Sequence, residues 1–264
     1  MLRLICCEIK KLRHKPLFFA ASASSVLLPL GYALFLSEAK NSVDAVEGMM
    51  SSLFQLSAYM LLMPVLVILA CNLLFEEQDN DTMKNLLCVP VSKAGLCVAK
   101  LLLLLVFAVL FMTVGGLLNL VILLLQGWEP VGFWKLFFVG LGEGIIMWAG
   151  ALPCILVVTA LNKSYIISVI LAFFYTVLNY LLSSNEIFLT QPYGLNPGTL
   201  LPGTLAFRWF FQFFNFNDAG EELLGLLSRI GPYFLDTPSV FVAIAGEAAV
   251  FLFLIAWVYK RQKH

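Results

Sequence analysis

Charge is scarce in this sequence. Lys, Arg, Asp and Glu make up 12% of its 264 residues, about half the share usual in a soluble domain. Histidine is almost missing, with only His14 and His264. The six cysteines, Cys6, Cys7, Cys71, Cys88, Cys97 and Cys154, form neither a CxxC pair nor a Cys/His cluster. That pattern excludes a recognisable zinc site and a disulfide framework, so no metal is expected. Cys71 and Cys154 are expected to serve as small buried hydrophobes. There is no HExxH, no GxSxG and no GxxxxGK[ST] phosphate loop. The chain is therefore expected to carry no catalytic residue and to hydrolyse no nucleotide itself.

What fills the sequence instead is apolar: 61% of the residues are hydrophobic. Several runs reach the ~20 residues that a helix needs to cross a bilayer. Six spans are expected, at roughly Leu17 to Leu36, Leu53 to Phe75, Leu101 to Leu125, Phe133 to Ala160, Tyr165 to Leu182 and Ser239 to Tyr259. The fold class is thus all-α, a polytopic membrane protein with a single transmembrane domain over 1–264. Ahead of the first span, residues 1–15 read MLRLICCEIKKLRHK. Leu2, Ile5, Cys6, Ile9 and Leu12 fall on one helical face, which predicts an amphipathic interfacial helix. A cleaved signal peptide is disfavoured, because the following apolar run is too long.

The net charge is zero, but the charges are unevenly placed. With both termini inside, the inner segments hold Arg3, Lys10, Lys11, Arg13, Lys15, Lys84, Lys93, Lys100, Lys163, Lys260, Arg261 and Lys263. The outer ones hold Lys40, Lys135, Arg208 and Arg229. The excess of cytoplasmic Lys and Arg sets this orientation. The tight LNKS connection predicts that the fourth and fifth spans are antiparallel neighbours. Residues 183–238 form a long outer loop rich in Pro, Gly and aromatics. Within it, TLAFRWFFQFFNFND predicts a helix lying in the membrane interface or dipping partway in, and EELLGLLSRIG a second such piece.

Between the second and third spans lies a polar island, EEQDNDTMKNLLCVPVSKAGLCVAK, residues 76–100. Glu76, Glu77, Asp79 and Asp81 hold the second span at the water. Asp81 or Thr82 can cap a short helix whose Met83, Leu86 and Leu87 share a face. Pro90 ends that helix, and Ser92 caps the next, which runs through Lys100 into the third span. An exposed Met/Leu face on a cytoplasmic helix suits a partner's groove; packing along the membrane surface is the plainer alternative.

The island resembles the cytoplasmic loop of ABC-2 type transporter permeases. The matching residues are Lys84, Asn85, Leu86, Leu87, Pro90, Val91, Ser92, Lys93 and Lys100. The basic N-terminal segment, six spans and the long loop before the last span agree with the resemblance. Within the family the chain looks most like permeases of lantibiotic-immunity and bacitracin-resistance transporters. The resemblance implies an ABC-2 type exporter fold whose coupling helix sits in a cleft of a separate ATP-binding subunit, present in two copies. A second permease, identical or similar, would complete the dimer. ATP and Mg would bind the partner, and no cofactor this chain. Met83, Leu86 and Leu87 would be the apolar contacts, with Glu76, Glu77 and Lys84 as their polar rim.

Two carboxylates lie inside spans: Glu143 in GLGEGIIMWAG and Glu247 in AIAGEAAVF. Both spans run from outside to inside, which predicts similar depths. A charge there costs roughly 2.5 kcal/mol or more, so each should face the protein interior or a wet cavity. Gly140 and Gly144 form a GxxxG that admits a neighbouring helix; Ala243 and Gly246 flank Glu247. Either the pair serves a cationic substrate, or each is a neutral carboxyl used in packing. Ser168, Ala172, Tyr175, Asn179 and Ser183 recur at helical spacing. That stripe faces either a translocation path or another helix. Trp209 and the aromatics from Phe207 to Phe216 either gather an amphipathic peptide or anchor the interface. The substrate path expected is thus Glu143, Glu247, Tyr175, Asn179 and Trp209.

These observations predict a permease subunit in a bacterial plasma membrane that expels a lantibiotic or another peptide antibiotic. The alternatives are an ABC-2 exporter of a cation, drug or lipid-linked substrate, an ion-coupled secondary transporter using Glu143 and Glu247, and a membrane scaffold that moves nothing. No nucleic-acid partner is expected.

Overall fold

The computed structural model describes residues 16–34, 39–79, 92–161, 165–215 and 221–261. Every regular element among them is helical. Helix α1 covers Pro16–Ala33. Helix α2 is continuous through three windings: α-helical over Ser42–Ser52, π-helical over Leu53–Leu62 and α-helical again over Met63–Asp79. Then follow α3 (Lys93–Leu125), α4 (Phe133–Leu161) and α5 (Tyr165–Ser183). The connection to the last helix holds α6 (Glu186–Leu189), α7 (Pro202–Phe210) and α8 (Glu221–Ile230). Helix α9 (Thr237–Arg261) closes the chain.

Five of these, within α2, α3, α4, α5 and α9, are long and apolar enough to cross a membrane. The expected first span is an apolar helix shorter than these five. The amphipathic segment 1–15 and the expected coupling helix lie outside the described residues.

Side-chain contacts fix the register. Lys100 on α3 reaches the Leu73 carbonyl on α2, and Asn119 reaches that of Met49, so these two helices run antiparallel. Trp148 Nε1 donates to Leu101 O at 2.9 Å, which sets α4 antiparallel to α3. Gly142 of α4 lies beside Phe241 of α9, and both helices start at the same end, so they are parallel. Lys93, Lys260 and Arg261 consequently share one end of the bundle, called here the basic end. The opposite end carries residues 184–215 and 221–236 and is called the loop end.

The α3–α4 turn shows how local chemistry sets that geometry. Gly127 adopts φ +82°, a conformation that side chains disfavour. Its N–H bonds to Leu124 O at 3.1 Å, and the N–H of Trp128 to Leu123 O at 2.9 Å. This pair of bonds is a Schellman stop, and it turns the chain back immediately.

Helix α4 is the hub. It touches α2, α3, α5, α7 and α9, and its glycines are the reason it can. A Cβ on Gly140 would stand 2.8 Å from Phe54 Cε1, and one on Gly144 2.9 Å from Met112 Cγ and 3.1 Å from Ala108 O. The GxxxG pair therefore receives the backbone of α3 at Gly144 and the Phe54 ring of α2 at Gly140, as small-residue notches do in membranes.

Candidate functional site

The polar residues of the bundle were expected to face either a path or a neighbouring helix, and most of them face inward. On α5, Ser168, Ala172, Asn179 and Ser183 are buried and Tyr175 is half-buried. Their hydrogen bonds show what they meet. Tyr175 donates to Gly150 O at 2.7 Å, Asn179 Nδ2 to Met63 Sδ at 3.6 Å, and Ser183 Oγ to Asn179 Oδ1 at 2.9 Å. The stripe thus joins α5 to α4 and α2, and its contacts are those of helix packing.

Helix α7 dips deep, one of the two outcomes expected for the aromatic piece. Pro202 lies against Gly150, Trp209 against Gly142, and Phe213 O accepts from Lys135 Nζ at 3.0 Å. The segment therefore climbs along α4, from about 25 Å below the start of that helix to near its first turn, at 1.5 Å per residue. Such an element must satisfy its own polar groups. Pro202 at the first helical position removes one N–H that would lack a partner. Gly203 O accepts from Tyr59 Oη at 2.6 Å. Arg208, fully buried, donates through Nη2 to the carbonyls of Phe188 and Gln191, so its charge ties α7 to the end of α6.

Trp209 was expected on a substrate path. It is instead 3% exposed, packed against Gly142 and Phe241, with its indole N–H on Thr237 Oγ1 at 3.0 Å. It clamps α7 between α4 and α9, away from open solvent.

The two intramembrane carboxylates separate. Glu143 is fully buried, and among the described residues neither carboxylate oxygen has a hydrogen-bond partner. Tyr59 lies within electrostatic reach of it. Glu247 is only half-buried, on α9, with Tyr175 and Tyr193 within reach. The similar depths expected of the two carboxylates differ by about a turn and a half of helix. Phe241 pairs with Gly142, so Glu247 lies about five residues, or ~7 Å, nearer the basic end than Glu143. The two helices do run in the same direction, but they are staggered where they pack. The structure therefore assembles no paired carboxylate site.

At the basic end, Ser92 accepts from Gly95 N at 3.1 Å and caps α3, as its position in the sequence predicts. Glu76 and Glu77 lie in the last turn of α2. Met83, Lys84, Leu86, Leu87 and Pro90 are outside the described residues. Lys100, expected at the membrane edge, is buried between α2 and α3 with Nζ 2.5 Å from Leu73 O. It locks together the two helices that flank the island. The described residues hold no cluster of His, Cys, Asp or Glu able to bind a metal, and Cys71, Cys97 and Cys154 are buried free thiols.

Tyr59 is a hub that the sequence did not signal. It belongs to the π-helical stretch, where the Met63 N–H reaches back five residues to Ala58 O. Its ring meets Tyr180 and Phe207 while its hydroxyl holds Gly203. Nothing in the local pattern LFQLSAYMLL distinguishes it from any apolar span.

No curated protein matches this chain significantly. Residues 4–179 match the family described as ABC-2 family transporter protein. That match covers two thirds of the sequence and agrees with the all-helical, multi-span architecture, and the chain belongs to the ABC-2 transporter family as a membrane component whose ATP hydrolysis resides on a separate ABC subunit.

Proposed function

We propose that this chain is the permease subunit of an exporter that expels a lantibiotic or other peptide antibiotic from a bacterial membrane. The basic end faces the cytoplasm and residues 76–100 receive the stroke of two ATP-binding subunits. The observation that carries the coupling is the α2–α3 hairpin. Helix α3 runs unbroken for 33 residues from its Ser92 cap, or ~50 Å, well beyond the ~30 Å of a bilayer core. Lys100, the last residue of the island, pins it to α2. A push on the loop between them is therefore delivered to two helices moving as one, and through the Gly140 and Gly144 notches to α4.

A second permease fits the faces that the single chain leaves bare. Ile170, Phe173 and Phe174 on α5, and Val242, Val250 and Phe253 on α9, are all more than half exposed. A dimer would cover one of these apolar faces and lipid the other.

Leu86→Asp tests the coupling. The variant should reach the membrane but fail to co-purify with the ATPase; undiminished co-purification overturns the assignment. Glu143 supports one second reading, because a buried carboxylate without a partner is the kind of group that carries a coupled ion. In that case transport by the chain alone would run without ATP and collapse with an uncoupler.

A further inference from the structure

The loop end contains a cavity of about 720 Å³, within the usual size of a ligand site. It opens between the start of α2, the end of α5, the α7 segment and α8. One wall is aromatic: Phe207, Phe211 and Phe214 stand in succession, and Tyr180, which like Phe207 packs on Tyr59, also lines the cavity. Phe207 and Phe211 stack at 5.4 Å between centroids, and Phe214 is fixed edge-on by Phe54 at 5.7 Å. The other wall carries Asp44 and Glu47, and no Lys or Arg among the described residues lines the cavity.

The loop end does contain cations: Lys40 is exposed next to Asn41 of the rim and Lys135 lies within electrostatic reach of Glu47, but three of the four are held by other partners. Arg208 is on the carbonyls of Phe188 and Gln191, Lys135 on Phe213 O, and Arg229 on Glu186 at 2.7 Å. The carboxylates facing the cavity have lighter duties. Glu47 Oε1 accepts the Asn215 N–H at 2.9 Å and Asp44 Oδ2 accepts the Lys40 N–H at 3.0 Å, which leaves oxygens on both for an incoming donor.

The geometry points to this cavity as a binding site for a cationic amphipathic peptide, one Lys or Arg side chain set between the carboxylates and adjoining apolar side chains on the phenylalanine wall. A cation gains from both walls at once, by charge from Asp44 and Glu47 and by cation–π attraction from the rings. The inference deepens the exporter reading and rests on it for the direction of transport, not for binding. In that reading the loop end faces outward, so the site collects its ligand from the outer leaflet.

The test uses the full chain in phosphatidylcholine nanodiscs. The probe is a fluorescein-labelled octapeptide alternating Lys and Leu, compared with the same peptide carrying Gln for Lys. The wild type should bind the cationic peptide saturably and the neutral one at least tenfold more weakly. The double variant Asp44→Asn, Glu47→Gln should lose at least tenfold in affinity, and Phe211→Ala several-fold. Glu129→Gln, which changes an exposed carboxylate outside the cavity, should alter nothing. The amide oxygen introduced by Glu47→Gln can still accept the Asn215 N–H, so the double variant is expected to fold; an unchanged melting curve checks this. Equal affinity of wild type and double variant overturns the site. So does binding confined to dodecyltrimethylammonium, which fits the charge but not a peptide. A parallel measurement of ATP turnover by the chain with its ATPase separates the two ideas. Carboxylate-dependent binding without an assembled ATPase keeps the site and removes the exporter, whereas an active assembly indifferent to Asp44 and Glu47 does the reverse.

Discussion

Helices α4 and α9 invite comparison because they are built so similarly. They run parallel, pack against each other, and carry one carboxylate each at mid-span. Yet 67% of the apolar window of α4 is buried inside the protein and only 28% of that of α9. Hydropathy does not separate them, since lipid and protein core are equally apolar and neither selects for a more hydrophobic face. What differs is the use of small residues. Each of Gly140, Gly142, Gly144 and Gly150 on α4 is filled by a neighbour, whereas Gly246 on α9 has nothing within 4 Å. In a membrane, burial follows backbone notches that are occupied, not apolarity.

The largest effect should come from filling one notch on each helix. Gly144→Leu would drive a side chain into Met112 and the fixed Ala108 carbonyl, and should abolish recovery of folded protein in detergent. Gly144→Ala is the graded version. Its overpacking cost of about 1–3 kcal/mol outweighs the ~1 kcal/mol that Ala gains over Gly in a helix. The same change at Gly246 meets open space and should leave thermal stability unchanged or raised. If the two alanine variants melt alike, the contrast between occupied and empty notches is wrong. A melting loss confined to Gly246→Ala would place a second copy on that face.

The carboxylates sharpen the comparison at a smaller scale. Glu143 has no hydrogen-bond partner among the described residues of a sealed interior, whereas Glu247 keeps part of its surface open. Replacing a buried, unpartnered polar group by an apolar one of similar size removes a desolvation cost. Glu143→Leu should therefore stabilise the protein, by about 2.5 kcal/mol or more if the group carries charge. Glu247→Leu should change little. Denaturant titration in detergent measures both. Destabilisation by Glu143→Leu would mean that the carboxyl bonds to something essential, and export assays on the same variant would then separate packing from transport.

Much of this was legible beforehand, for identifiable reasons. Five of the six expected spans announced themselves by length, Ser92 by its cap position, and the approach at Gly140 and Gly144 by their spacing. The α5 stripe was legible as inward-facing, because Tyr175, Asn179 and Ser183 recur every fourth residue. Besides the Tyr59 hub, three features were not. The depth of α7 depends on Arg208 finding the carbonyls of Phe188 and Gln191, residues 17–20 positions earlier in the chain, and no local pattern encodes that meeting. The burial of Trp209 follows from the same docking. The stagger between Glu143 and Glu247 arises where α9 packs on α4, at Phe241 and Gly142, so counting residues from each span's start could not find it.

The smallest expected effect lies at the entrance to α9, where the comparison with α4 reaches an exposed charge. Asp236 precedes the helix, and its Oδ2 accepts from Ser239 N at 3.3 Å while its carbonyl accepts from Val240 N at 3.2 Å. Hydrogen bonds from Ser239 hold the Asp236 carboxyl below its usual range. A carboxyl depressed in the folded state contributes stability that is complete above the unfolded value of about 3.9 and disappears as pH falls through the folded one. Amide-exchange protection at Ser239, corrected for intrinsic rates, should thus be flat from neutrality down to about pH 5 and fall below about pH 4. Asp236→Asn keeps an oxygen acceptor but loses the titration, so its profile should stay flat throughout. Helix α4 starts at Phe133 with no acidic residue in its first turn, and its amides supply the internal control. A pH-dependent loss at Ser239 that persists in Asp236→Asn would show that something other than this cap governs how the last helix begins.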